Sequence, residues 1–148
     1  MPRSGKTTEG IVALFNANDD TIDIIQTVLT EAGGAQSLVW CRFADIKNGV
    51  VNFVKYLDKY NPEVVIFHIS PPYEENWQFF KTVRDSEAMR GRGEVLTTTN
   101  KSRLDEVLGR NSYALEVVGQ PKDLHWLRVA IAAETRKAEK ARLALASR

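Results

Sequence analysis

Five short runs rich in apolar and β-branched residues recur along the chain, separated by stretches whose apolar residues return at helical spacing. This alternation restricts the fold more than any other feature of the sequence. The runs cover residues 11–15, 37–42, 63–67, 94–98 and 113–118. The first (IVALF) and third (EVVIF) are continuous rather than alternating, as expected of strands buried on both faces. Strands separated by helices cannot be joined as hairpins, so the order argues for a parallel sheet with helices on both faces and right-handed crossovers.

The intervening segments carry their own start and stop signals. Asp20 or Thr21 is placed to cap a first helix in which Ile22, Ile25, Val28, Leu29 and Ala32 share a face, and Gly33-Gly34 ends it. Residues 48–60 read as a second amphipathic helix through Val50, Val51, Phe53, Val54 and Leu57, broken by Asn61-Pro62. Residues 68–73 (HISPPY) read as the loop after the third strand, and Trp77, Phe80 and Val83 mark a third helix ending near the turn at residues 90–93. Ser102 caps a short fourth helix stopped by Gly109, and the fifth begins near Lys122 with Leu124, Leu127, Ala130 and Ile131 on its inner face. The helix-prone end of the chain, rich in Ala, Lys and Arg, is expected to carry that helix beyond the body of the domain. The expected organisation is a disordered leader over residues 1–10, one folded domain over 11–133 and a basic helical extension over 134–148.

Composition excludes several classes. Twenty basic side chains against nineteen acidic ones leave a net charge of +1, which is no electrostatic footprint for nucleic acid, so no direct nucleic-acid contact is expected. Cys41 is the only cysteine, and His68 and His125 are the only histidines, so neither an internal disulfide nor a Cys- or His-rich metal site is expected. No apolar run approaches the ~20 residues that span a bilayer, and none follows Arg3 and Lys6 as a signal-peptide core. A cytoplasmic protein without membrane contact is the resulting expectation. Ser4-Gly5-Lys6-Thr7-Thr8 echoes the end of a phosphate-binding loop, but the motif's earlier glycine and strand are missing.

In an open parallel sheet, ligands bind at the carboxyl ends of the strands. The residues there are Asn16 and Ala17, then His68, then Thr97 to Thr99, then Gln120, a set without a carboxylate or a lysine. Pro62 stands six residues before His68 and Pro72 four after it, Thr98 ends the fourth strand, and Gln120-Pro121 follows the fifth. In order and spacing this pattern resembles the receiver domain of two-component response regulators over residues 11–133. The resemblance implies a flavodoxin-like (CheY-like) three-layer sandwich, a five-stranded parallel sheet in order 2-1-3-4-5 with five helices.

The family's chemistry does not follow. The resemblance puts Asn16 and Ala17 at the Mg²⁺-holding acidic pair, His68 at the phospho-accepting Asp, Thr98 at the switch position and Gln120 at the phosphate-pairing Lys. Mg²⁺ wants hard carboxylate oxygens, and an acyl phosphate needs a carboxylate nucleophile. The pattern is that of a degenerate receiver, a pseudo-receiver, in which no metal and no cofactor is expected. His68 has three readings: a neutral ring filling the vacated pocket with Thr98 or Gln120 as partner, a pH switch, or a phosphohistidine. Cys41 reads as an inert thiol in a strand.

Trp126, with His125, flanks the inner stripe of the last helix and is a candidate for an exposed contact. By resemblance, the face with Arg103, Tyr113 and Trp126 would carry homodimerisation and output. The function expected is a non-enzymatic signalling module working through a protein partner. The alternative is a small flavodoxin-like enzyme or a nucleotide- or flavin-binding protein, against which stands the loop at residues 16–20, which has no glycine.

Overall fold

The computed structural model describes residues 10–49 and 52–146. Five strands, β1 (Ile11–Phe15), β2 (Ser37–Cys41), β3 (Val64–Ile69), β4 (Gly93–Thr98) and β5 (Leu115–Glu116), pair in parallel in the order β2-β1-β3-β4-β5. The α-helices among the described residues are α1 (Asp19–Glu31), α2 (Phe43–Lys47), α3 (Phe53–Tyr60), α4 (Tyr73–Arg84), α5 (Lys101–Leu108) and α6 (Pro121–Ala146), with a 3₁₀ turn at Glu87–Met89. The expected sheet order is the one observed, with six helices in place of five.

The extra helix comes from a break in the segment expected to be one helix over residues 48–60. Helical structure begins earlier, at Phe43, and closes at Asn48, after which Gly49 takes a φ of +79°. It restarts at Asn52, whose side chain accepts the Val54 and Lys55 N–H groups. Val50 and Val51, which the spacing puts on that helix, lie outside the described residues, as does the Ser4–Thr8 motif. Caps also fall earlier than expected. Asn18, not Asp20 or Thr21, accepts the Thr21 N–H at 2.9 Å, which leaves Asp19 and Asp20 in the first turn of α1, where the helix dipole favours them. Asn100, not Ser102, caps α5 by accepting the Arg103 N–H at 3.0 Å. β5 is shorter than its apolar run.

Period-two alternation sends Ala13, Phe15, Val65, Phe67 and Ile69 into one core, with Phe80, Trp77 and Leu57 from α4 and α3. Phe67 meets Phe15 and Phe80 with ring centroids 5.9 and 5.3 Å apart, in the edge-to-face geometry aromatic rings prefer. Val12, Leu14, Val64 and Ile66 face the opposite way, against Ile25, Val28 and Leu29 of α1 and Leu127 and Ile131 of α6.

The inner stripe of α6 runs past Ile131, contrary to the expectation that the helix leaves the domain near Ala133. Glu134 accepts the Glu94 N–H at 3.0 Å, Thr135 accepts from Gln36 at 3.0 Å, and Ala138 is buried. Gly93 permits this seat: a Cβ there would lie 2.6 Å from the Glu134 carbonyl oxygen.

Candidate functional site: the carboxyl ends of β1, β3 and β4

His68 belongs to β3, not to the loop after it. It pairs with Thr97 of β4, and Ile69 pairs with Thr98. Alternation puts its ring on the α1/α6 side of the sheet, with Val64 and Ile66. It is 1% exposed. Its Nδ1 lies 2.8 Å from the Thr97 hydroxyl, and its Nε2 is buried with no hydrogen-bond partner among the described residues. Burial holds the imidazole neutral, pushing its pKa from 6.5 down to about 4.

The partner of His68 is therefore Thr97, rather than Thr98 or Gln120. Thr98 lies on the other face of the strand and donates its hydroxyl to the Ile69 carbonyl at 2.8 Å. Gln120 is exposed, and its backbone N–H is held by Asp123.

Asn16 leaves β1 at a φ of +67°, a left-handed conformation that Asn tolerates better than most residues. Its side-chain NH₂ reaches the His68 carbonyl at 2.6 Å, the Ser70 hydroxyl at 3.0 Å and the Asn76 carbonyl oxygen at 3.2 Å. Asn76, 1% exposed, passes the chain on by donating to the Ser70 and Pro72 carbonyls. An amide network thus ties the end of β1 to the turn after β3. Neutral donors and acceptors satisfy one another there, and no charge is concentrated. Ala17, also buried, adds a methyl group to the α1/α6 core.

Carboxylates stand near this centre but outside it. Asp19 is almost fully exposed and pairs with Arg42 at 3.4 Å. Asp20 and Asp23 line a cavity of about 550 Å³ with Thr21, Thr99, Val117 and Gly119, between the start of α1 and the turns after β4 and β5. The described residues hold no cluster of three His, Cys, Asp or Glu side chains that could bind a metal ion. Cys41 is buried, and desolvation pushes its thiol up to about 12, far from a reactive thiolate.

The structure thus brings Asn16, Ala17 and His68 together and separates Thr98 and Gln120 from the His68 ring. The sequence reading missed Asn76 and Ser70, and it placed Thr97 at the strand end without pairing it with His68. Asn76 had a signal: it stands four and seven residues before Phe80 and Val83, a polar group at an inward position.

Of the candidate contact residues, Arg103 is exposed and pairs with Glu106 at 3.0 Å. Tyr113 is 53% exposed, its hydroxyl accepting from Arg84 and donating to Glu94. Trp126 is 57% exposed, with the His125 ring edge-on at 5.1 Å. The three come from α5, the approach to β5 and α6, the elements at the β5 edge of the sheet.

No protein-family model and no curated protein matches the sequence. Solved structures do match the fold. The bacteriophytochrome response regulator RtBRR superposes with a TM-score of 0.56 at 16% identity, over 95% of each chain. A response regulator in red light signaling of R. palustris gives 0.53 at 15% identity, over 81% of this chain and 90% of that one. The bacteriophytochrome response regulator AtBRR gives 0.52 at 18% identity, over 83% and 91%. The chain has the fold of a response-regulator receiver domain.

Proposed function

We propose that this protein is a signalling module on the receiver fold that works by protein–protein contact, without enzymatic activity and without conventional aspartyl phosphorylation. One observation carries the reading: His68, which the resemblance puts at the phospho-acceptor position, is buried and neutral, and the resemblance leaves the acidic-pair positions to Asn16 and Ala17. Thr98 and Gln120, which the resemblance puts at the switch and lysine positions, do not stand at the His68 ring, where the hydroxyl of Thr97 does. A cytoplasmic setting and independence from membrane, nucleic acid and cofactor belong to the same reading. No helix among the described residues is long and apolar enough to cross a membrane.

Incubation with acetyl phosphate and Mg²⁺ is expected to leave the intact mass unchanged and, because weak ion binding gives no linkage, the melting temperature unmoved. A hydroxylamine-sensitive adduct on an aspartate, or a saturable rise in melting temperature with Mg²⁺, would show that Asp19 or Asp20 reaches the pocket and would overturn the reading.

The contact face is assigned to Arg103, Tyr113 and Trp126, where a second copy or a partner of the pathway would bind. Trp126 is the anchor, since a large exposed ring is costly on a free surface and favourable in an interface core. Trp126→Ala is expected to weaken association by ~1–3 kcal/mol while the melting temperature stays within a degree or two. Sedimentation and thermal unfolding read the two effects separately. Unchanged association would move the interface elsewhere, and a large loss of stability would make the ring part of the fold's own packing.

A further inference from the structure

β2 is an edge of the sheet, with β1 on one side and no strand on the other among the described residues. Backbone N–H and C=O groups turn to alternate sides along a strand, so only half of those in β2 can reach β1. Ser37 donates its N–H to the Gly10 carbonyl at 3.0 Å, and Cys41 accepts the Ala17 N–H at 3.1 Å. Those two residues, and Val39 between them, therefore turn to β1. Leu38 and Trp40 turn outward, and among the described residues nothing bonds their N–H and C=O groups. A donor and an acceptor from each residue stand open in a row at this edge.

Sheet edges are ordinarily blunted by charge, proline, shortness or a covering helix. The other edge of this sheet is blunted. β5 has only two residues, and beyond it the Glu134 carboxylate of α6 takes the Glu94 N–H. The β2 edge has no such device. Residues 32–41 contain no charged side chain and no proline, and the first charge after them, Arg42, is matched by Asp19. Trp40 is 46% exposed on the α1 face of the strand, the face on which Leu38 is half-buried.

We propose that β2 pairs antiparallel with β2 of a second copy of this chain, across a two-fold axis at Val39, and joins two five-stranded sheets into one. Identical edges related by a two-fold run antiparallel. Residues that turn toward each other in such a pair exchange both of their bonds, so the open groups fix the register. Setting Leu38 of each copy against Trp40 of the other uses every open group. A shift of two residues sets Leu38 or Trp40 against itself. It leaves the other facing Gln36, outside the strand, or Arg42, whose carbonyl is taken by Asp45. In the favoured register each Trp40 ring lies across Leu38 of the other copy, an aromatic–aliphatic cross-strand pair. Neither copy brings an unmatched charge to the seam, so the pairing carries no like-charge cost. Two paired strands bury less than the roughly 1,200–2,000 Å² of a stable interface, so the dimer is weak and concentration-dependent. It lies at the edge opposite Arg103, Tyr113 and Trp126 and stands apart from the contact proposed there.

The test compares the full chain with its Trp126→Ala variant, in which the other edge is weakened, from about 10 μM to about 1 mM. Amide hydrogen exchange reads the pairing directly. Ser37 and Val39, bonded to β1, are expected to be protected throughout. Leu38 and Trp40 are expected to exchange fast when dilute and about tenfold or more slowly when concentrated, in both proteins. Sedimentation should show a monomer–dimer equilibrium that persists in Trp126→Ala. Adding Trp40→Lys to that variant places a cation at the seam and is expected to weaken the remaining association by about tenfold or more. Exchange at Leu38 and Trp40 that ignores concentration, or association untouched by Trp40→Lys, would overturn the proposal and leave the edge to an extended segment of another protein.

Discussion

Removing the chain after Ala133 is expected to lower the stability of the domain by roughly 3 kcal/mol, a large share of the 5–15 kcal/mol typical of a domain. The loss follows from what α6 does beyond that point. Glu134 is the acceptor for the Glu94 N–H at the start of β4, and Thr135 accepts from Gln36 next to β2. Each such bond is worth about 1 kcal/mol, and more where a part-buried donor is left without a partner. Ala138, 5% exposed, adds its own buried methyl group. For a domain of this length the shift corresponds to a melting temperature lower by roughly 10 °C. Gly93→Ala should act through the same seat, because its Cβ would fall 2.6 Å from the Glu134 carbonyl oxygen and 2.7 Å from its Cβ. Helix or strand must move, at a cost of about 1–3 kcal/mol. Urea unfolding of both variants measures this. Parental midpoints would mean that the end of α6 is an appendage of the fold.

That seat also shows where the sequence stops being legible. Leu127 and Ile131 announce a buried stripe because they are apolar. Its continuation through Glu134, Thr135 and Ala138 is polar or small, and looks like solvated helix until the facing partners are known. Those partners, Gly93, Glu94 and Gln36, lie about 40 to 100 positions away in sequence. The sheet itself is readable because burial on both faces leaves continuous apolar runs in β1 and β3, and parallel order follows from the helices between them. The break between α2 and α3 was hidden because Val50 and Val51 extend the apolar pattern across a glycine turn. At the candidate site, spacing from Pro62 and Pro72 picked out His68 as a position. It did not give the ring's partner, which depends on strand register. A one-residue difference between Thr97 and Thr98 reverses the face of the sheet on which the hydroxyl lies.

Stability is expected to fall by roughly 2–3 kcal/mol between pH 7 and pH 4.5, with His68 as the cause. Its pKa in the folded chain is lowered to about 4 by burial, whereas the unfolded chain titrates near 6.5. Between those values the unfolded state binds the proton more readily, so acid favours unfolding. The contribution is complete above about pH 6.5 and is lost as pH falls toward 4. The local geometry gives no escape, since Nε2 has no acceptor among the described residues and Nδ1 faces only the Thr97 hydroxyl. Glu63 and Glu94, whose carboxyl pKa values are raised mainly by burial, work in the opposite sense. Their protonated forms are favoured in the fold, so the fall is assigned to the imidazole. Urea midpoints at half-unit pH steps should show the fall in the parent and no fall over the same window in His68→Gln, whatever that variant's absolute stability. A flat parent profile would mean that the ring finds a partner or water on protonation. The same energetics bear on function. A ring that resists a proton this strongly offers no positive charge to steady a phosphoryl group at neutral pH, and the Asn16 and Asn76 amides beside it bring none. At the end of β3, where the resemblance puts the phosphorylated aspartate of a receiver, this chain holds a buried, neutral ring.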